Sequence, residues 1–180
     1  VFMETKDNIH ILIERSKEGD SVAFSELYSL YAMELYRFSL YMTASKEDAE
    51  DAVQETVFSA WRSINSLKDN SLFKPWLFKI LSNKCKTLLT AKNKQPDILP
   101  AEEYEFLVDN IEGNFDDSLI NTAELKEALS KLTPPDAQII ILSIIGGFKS
   151  HELAVIYDMP ANTIRSRQQR ALKQLREILA

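Results

Sequence analysis

The sequence predicts an all-α protein in which two small helical domains are joined by an acidic linker. Apolar residues recur at spacings of three and four along much of the 180-residue chain, which is the period of amphipathic helices. The chain has only four glycines and no run of alternating β-branched residues of the kind that predicts strands. Near its C-terminal end, Asp158-Met159-Pro160 separates two helical patterns, which predicts that the second domain is a helix-turn-helix.

The first domain is predicted to span residues 1–94. Residues 9–43 predict amphipathic helices with a break near Gly19 and Asp20. Ser45 opens a Ser-x-x-acid capping box, and the helix that follows has one apolar face and one largely acidic face. Asn70 and Ser71 interrupt the pattern before a further amphipathic helix from Leu72 to Leu88, which would close the domain.

The second domain is predicted to span residues 123–180, after a linker over residues 95–122 with a short helical turn near 102–108. Residues 123–132 have a helical pattern, and Thr133 is expected to cap a buried helix that ends at Gly146-Gly147. A supporting helix follows, then the break at Asp158 and a recognition helix that Asn162 is expected to cap through its side chain.

The charges are distributed in blocks that the net charge of −6 conceals. Residues 70–96 contain six lysines and no acid, and residues 159–176 contain five Lys or Arg and no acid. Residues 97–136 contain eleven acids and two lysines. A single basic run is commonly a solvated face, but phosphate binding depends on local positive potential. Two such blocks therefore favour a nucleic-acid partner.

Several classes of function are disfavoured by what the sequence lacks. Cys85 is the single cysteine, and no run of about 18 apolar residues suggests membrane insertion, so a reducing cytoplasm is the expected compartment. His10 and His151 are isolated, and there is neither a Gly-rich phosphate loop nor a Glu-x-x-His pattern. We therefore expect no catalysis, no cofactor and no metal site.

Four segments of the chain, in this order and spacing, form a recognisable set. The segments are FSELYSLYAMELYRFSLYM, SKEDAEDAVQETVFSAWRSI, SLFKPWLFKILSNKCKTLL and LTPPDAQIIILSIIGGFKSHELAVIYDMPANTIRSRQQRALKQLREIL. Together they resemble the extracytoplasmic-function (ECF) sigma factors of bacterial RNA polymerase. The resemblance implies core RNA polymerase (its β′ clamp and β flap), promoter DNA and an anti-sigma factor as partners.

The resemblance also implies roles for residues of the first domain. The second segment matches the helix that docks on the β′ clamp, and it places on its exposed face Asp48, Asp51, Gln54 and Glu55. The third segment matches the region that captures the melted −10 element, for which the candidate residues are Trp76, Phe78, Lys79, Asn83, Lys84 and Lys86. For Trp76, packing in the core is favoured over contact with DNA. Thr87 replaces an acid that is common in the family.

In the second domain the resemblance implies recognition of the −35 element. The candidate residues are Asn162, Thr163, Arg165, Ser166, Arg167, Gln169, Arg170 and Lys173. Arg165 and Gln169 are assigned to base edges, and Thr163, Ser166, Arg170 and Lys173 to phosphates. Arg167 lies nearer the buried flank, where it contacts DNA or pairs with Glu152. Asp158 and Asn162 stand where the family commonly has glycine, and an aspartate tolerates the left-handed backbone of such a turn.

A helix-turn-helix regulator with a helical sensor domain is the alternative interpretation. It explains the C-terminal end equally well but gives no reason for the Gln54-Glu55 face or for the lysine-rich aromatic helix. Promoter-specific initiation with core polymerase would support the sigma factor, and operator binding without polymerase would support the regulator.

Overall fold

A computed structural model of the chain describes residues 2–92 and 122–179. The described residues form nine α-helices and two short 3₁₀ turns, without a strand, so the all-α prediction is confirmed. The first part contains α1 (Phe2–Lys17), α2 (Ser21–Ser29), α3 (Ala32–Thr43), α4 (Lys46–Ser63) and α5 (Phe73–Ala91), with the 3₁₀ turns Ile64–Ser66 and Asn70–Leu72 before α5. The second part contains α6 (Thr122–Ser130), α7 (Pro134–Ile145), α8 (Ser150–Tyr157) and α9 (Ala161–Leu179). The linker predicted over residues 95–122, with its helical turn, lies outside the described residues except for Thr122.

The early helix boundaries follow from local capping. Gly19 has a φ of 92°, a conformation that glycine adopts readily, and it follows the end of α1. The Oδ1 atom of Asp20 then accepts hydrogen bonds from the backbone N–H groups of Val22 and Ala23 at 3.0 Å. Helix α2 therefore begins where the sequence predicted a break. The boundary between α2 and α3 was not predicted. Tyr31 precedes α3 without a side-chain capping bond, so no glycine, proline or polar cap marks this break in the sequence.

Helix α5 lies at the centre of the N-terminal domain, where it packs on α3 and α4. Its apolar face buries Phe73, Leu77, Phe78 and Leu81, all at most 1% exposed. Cys85 follows on the same face, and burial raises the pKa of its thiol to about 12. The thiol therefore remains protonated and packs as an apolar group. Because one face of α5 is held in the core, the opposite face is fixed in orientation.

The C-terminal domain continues the same apolar core, and within it α7 packs against the helix-turn-helix. The buried side chains come from α7, α8 and α9 and include Ile139, Leu142, Leu153, Ile164 and Ala171. Thr133 is the N-cap residue of α7, as predicted, but its side chain accepts no hydrogen bond from the helix backbone. Its hydroxyl donates instead to Oδ2 of Asp136 at 2.8 Å, and Pro134 occupies the first helical position, where no N–H has to be satisfied.

Candidate nucleic-acid interface and the adjoining acidic face

The turn between α8 and α9 has the predicted break. Asp158 closes α8 in the left-handed conformation, with φ 51° and ψ 43°, as an aspartate can. Helix α9 begins at Ala161, where the carbonyl oxygen of Pro160 accepts from Thr163 N–H at 2.9 Å and Ile164 N–H at 3.1 Å. The prediction that Asn162 caps this helix was wrong, because the helix begins one residue earlier. The Oδ1 atom of Asn162 accepts instead from the Arg165 guanidinium at 2.9 Å.

Helix α9 separates an anchored face from an exposed cationic face. Ile164, Ala171 and Leu175 are buried, and the side chain of Gln168 hydrogen-bonds to both Ser143 at 2.8 Å and Ser150 at 2.7 Å. These contacts fix the rotation of α9 about its axis, so the same groups always face solvent. Seven of the eight side chains assigned to the −35 element are exposed, namely Asn162, Thr163, Arg165, Ser166, Gln169, Arg170 and Lys173.

Arg167, the eighth of these residues, is turned towards the core of its own domain. Its guanidinium lies 3.1 Å from Oδ1 of Asp136 on α7, with the side chains 29% and 14% exposed. Glu152 was the candidate acid for the alternative in which Arg167 does not contact DNA, but Glu152 accepts from the backbone N–H of Lys149 at 2.8 Å. Asp136 was missed because it is distant in sequence and belongs to another helix. This pair makes Arg167 a residue that positions α9.

We expect Arg167→Ala to destabilise the protein by about 1–2 kcal/mol, because it leaves the largely buried Asp136 carboxylate without its cation. Arg176→Ala is the matched control, since Arg176 is exposed on the last turn of the same helix. The measurement is the free energy of unfolding in urea for both variants. Equal stability of the two variants would contradict a positioning role for Arg167.

Helix α5 carries the N-terminal basic block, and its cations are paired within the chain. Lys84 Nζ lies 3.3 Å from Oε2 of Glu55 on α4. Lys79 Nζ lies 2.5 Å from Oδ1 of Asp158 on the C-terminal domain, and Lys86 Nζ lies 5.6 Å from the ring centroid of Tyr157. The three ammonium groups assigned to the −10 element are therefore already engaged in this conformation.

The other candidates on α5 differ in exposure. Asn83 is exposed, and Trp76 is half-buried with its ring 5.9 Å from that of Phe73. Phe78 is fully buried, with its ring 6.1 Å from Phe38 and 4.8 Å from Phe148. In this conformation Phe78 therefore offers no face on which a base can stack.

The acidic face of α4 contains three of the four predicted residues. Asp51, Gln54 and Glu55 are exposed, as the sequence predicted. The expectation that Asp48 is exposed was wrong, since its side chain is only 1% exposed and pairs with Nζ of Lys92 just beyond α5. Asp48 lies one turn before the buried Ala52, and this places it on the inner side of the helix. The hydrogen bond to Asp48 also raises the pKa of Lys92.

An apolar groove beside this face was missed by the sequence analysis. Its volume is about 490 Å³, and it lies between α2 and α4. The ring of Phe58, 57% exposed, stands at its edge. The helical period gives the missing signal, because Phe58 follows Gln54 by four residues and so belongs to the exposed stripe. The lining residues are Ser21, Phe24, Tyr28, Val53, Gln54, Val57, Phe58 and Trp61.

Comparison with known proteins decides the family. The family models Sigma-70 region 2 and Sigma-70, region 4 match residues 27–95 and 122–175. An ECF RNA polymerase sigma-E factor of Haemophilus influenzae is 32% identical over 173 residues, which is 91% of each chain. The chain belongs to the ECF RNA polymerase sigma factors. The Escherichia coli sigma-E factor is 31% identical over 171 residues, covering 89% of this ECF sigma factor and 88% of the relative.

Solved structures support the same fold. The Bartonella quintana sigma factor RpoE, solved with the anti-sigma factor NepR, has a TM-score of 0.64 and 27% identity, covering 87% of this chain and 96% of its own. CnrH, solved with the cytosolic domain of CnrY, has a TM-score of 0.72 and 23% identity, covering 96% of this chain and 97% of its own. The latter likeness is one of fold.

As an ECF sigma factor, the chain is an alternative sigma factor for transcription initiation and not an enzyme. It binds core RNA polymerase and promoter DNA. This membership decides against the regulator considered from sequence. Within the described ranges, no helix is long and apolar enough to span a membrane, and no three His, Cys, Asp or Glu side chains are grouped as metal ligands.

Proposed function

We propose that this ECF sigma factor binds core polymerase through α4, the −10 element through α5 and the −35 element through α9. In this arrangement residues 1–94 and 123–180 are the two domains, and residues 95–122 are the linker between them. The observation that carries the proposal is the division of α9 into an anchored apolar side and an exposed cationic side that contains no acid before Glu177 in the last turn. A helix that enters the major groove needs this division.

The polymerase contact is assigned to the exposed stripe of α4. Asp51, Gln54 and Glu55 offer carboxylate and amide oxygens to a basic partner, and the groove beside Phe58 offers apolar area for the centre of the contact. Asp48 supports this face indirectly, because its pairing with Lys92 ties the start of α4 to the end of α5. The partner that fits is a helical segment of the β′ clamp with basic flanks.

The −10 contact is assigned to the solvent side of α5. Lys79, Lys84 and Lys86 supply cations for the backbone of a melted strand, and Asn83 supplies an amide for a base. Trp76, half-buried, supports this surface from below, and Phe78 becomes available only after its neighbours move. Thr87 adds no charge beside these residues, so the contact depends on the lysines.

The −35 contact is assigned to the front of α9. Arg165 and Gln169 have the length and donors to reach base edges, and Thr163, Ser166, Arg170 and Lys173 are placed for phosphates. If about four phosphates are neutralised, the affinity falls roughly as the third to fourth power of salt concentration.

We also propose that an anti-sigma factor regulates this chain. The proposed compartment is the cytoplasm. The relatives solved as complexes support regulation by such a factor, since RpoE of Bartonella quintana is bound to the anti-sigma factor NepR and CnrH to the cytosolic domain of CnrY. A protein that covers α4 or its groove would block the proposed polymerase contact. The sigma factor would then stay inactive until the inhibitor dissociates.

Reconstitution with purified core polymerase tests the proposed function. Core enzyme plus this chain is expected to select promoters from a genomic library and to give transcripts with defined 5′ ends, whereas the chain alone is expected to give none. A chain that is folded by circular dichroism but fails to bind core polymerase would contradict the proposal. Operator binding that needs no polymerase would favour the regulator instead.

A further inference from the structure

The two domains meet at an aromatic contact between α5 and the segment before α8. The rings of Phe78 and Phe148 lie 4.8 Å apart between centroids at an interplanar angle of 70°, an edge-to-face arrangement. Both side chains are buried, at 0% and 4% exposure. Gly146 makes room for this contact, because a Cβ atom added there would lie 2.4 Å from the Phe148 ring. The centre of the domain contact is therefore apolar and closely packed.

Cations of α5 surround this aromatic contact. Lys74 Nζ donates to the carbonyl oxygen of Gly146 at 2.7 Å. Lys79 pairs with Asp158, and Lys86 lies over the ring of Tyr157, which is also part of the C-terminal domain. The C-terminal domain thus occupies the solvent side of α5 with groups that compete for its ammonium groups.

We infer that this closed state, with Phe148 on Phe78 and Asp158 on Lys79, is autoinhibitory towards the −10 element. The inference rests on the proposed −10 role of α5. A melted strand needs Lys79 and Lys86, and in the closed state Lys79 is paired with Asp158 while Lys86, although exposed, lies over the Tyr157 ring. The −35 candidates of α9 other than Arg167 remain exposed in the same state. The closed state therefore competes for two cations of the proposed −10 surface and leaves the proposed −35 surface open.

Asp158 supplies the charged part of this contact, through its ion pair with Lys79. It stands where the resembled family commonly has glycine, and its left-handed φ of 51° directs the chain from α8 into α9. The carboxylate that glycine lacks is the group that reaches Lys79. Its side chain is 75% exposed, so the ion pair is weak and screened by salt. The ion pair therefore adjusts the population of the closed state. The remaining stabilisation of that state comes from the apolar contact between Phe78 and Phe148.

The population of the closed state sets the apparent affinity for DNA. When binding requires the open state, the apparent dissociation constant equals the intrinsic one divided by the open fraction. The ion pair exists only in the closed state, so removing it destabilises that state. When most molecules are closed, the open fraction then rises. Asp158→Asn removes the charge and keeps a side chain that tolerates the left-handed backbone. It is therefore the variant that tests the ion pair without disturbing the turn.

The experiment compares full-length wild type, Asp158→Asn and the control Glu127→Gln. The control removes a comparable negative charge, since Glu127 is 70% exposed and lies 2.8 Å from Lys131, away from α5. We expect Asp158→Asn to bind a single-stranded oligonucleotide of the non-template −10 region about two- to fivefold more tightly at low salt. Glu127→Gln is expected to bind like wild type. Equal affinity of the two variants would overturn the inference.

Quantitative acetylation of lysines, followed by mass spectrometry, supplies a readout that needs no DNA. We expect Asp158→Asn to label faster at Lys79 and also at Lys86, which Asp158 does not neutralise in this structure. Lys84 is the internal control, because its partner Glu55 belongs to the same domain and stays in place. Unchanged labelling of Lys86 would contradict the closed state itself. Faster labelling without any oligonucleotide binding would contradict the proposed −10 role of α5 and, with it, the inhibition.

Discussion

Arg165→Ala is expected to reduce the discrimination between the preferred and a wrong base pair at one −35 position. The expected loss is about 1–3 kcal/mol of binding free energy, or roughly five- to 150-fold in the ratio of the two affinities. The Arg165 side chain is exposed in the first turn of α9, where a recognition helix contacts base edges. Asn162 holds its guanidinium at 2.9 Å, which limits its orientations before DNA arrives. The measurement is holoenzyme binding to matched promoters that differ at single −35 positions.

Arg170→Ala separates base recognition from phosphate binding. If Arg170 binds a phosphate, its loss weakens all promoters to a similar extent and lowers the salt slope by about one. Arg176→Ala, on the last turn of α9, is the control for the general loss of a positive charge. If Arg165→Ala weakened every sequence alike, or behaved as Arg176→Ala does, the assignment of Arg165 to a base would be withdrawn.

The helix-turn-helix was predictable because its determinants are local. The tolerance of Asp158 for a left-handed backbone, the proline after it and the period of three and four residues in α9 are all visible in one short stretch of sequence. The exposed face of α9 followed from the same period. What the local pattern could not give was the ion pair of Arg167 with Asp136, since this depends on how α7 packs against α9.

Contacts between segments that are distant in sequence could not be predicted from the local pattern. Lysines on α5 predicted a phosphate-binding face, but nothing local indicated that Asp158 and Tyr157 would lie against Lys79 and Lys86. The use of this basic block for DNA stays a prediction. Its neutralisation within the chain is a tertiary property, and it changes the interpretation from an always available DNA site to one that must first be uncovered.

The face of α4 shows the same limit at the scale of a single turn. The acidic stripe was predicted from spacing, whereas Asp48 was placed with the exposed residues by the family resemblance. In the structure the end of α5 brings Lys92 to Asp48, and this pairing accompanies its burial. Phe58 was overlooked for a different reason, because an aromatic residue in a helix is ordinarily counted with the core.

Asp51→Lys is expected to weaken binding to core polymerase by about 2 kcal/mol, roughly thirtyfold, because it places a cation of the exposed stripe opposite a basic partner. Asp51 is exposed on α4, so the substitution buries no charge. The expected cost arises from repulsion across the interface. It should diminish at high salt, where exposed charges are screened. The measurement is a titration of core enzyme with fluorescently labelled sigma factor at two salt concentrations.

Glu18→Lys is the matched control for this reversal of charge. Glu18 is exposed in the turn after α1 and is not part of the stripe of Asp51, Gln54 and Glu55, and its replacement by lysine changes the net charge by the same amount. We expect the control to bind core enzyme like wild type. Phe58→Ser is expected to lose affinity to the same extent at both salt concentrations, because it removes apolar contact area and no charge. Circular dichroism and urea unfolding establish that each variant is folded. If Asp51→Lys and Glu18→Lys bound equally well, α4 would not be the polymerase-binding helix, and the groove beside Phe58 would lose its assigned partner.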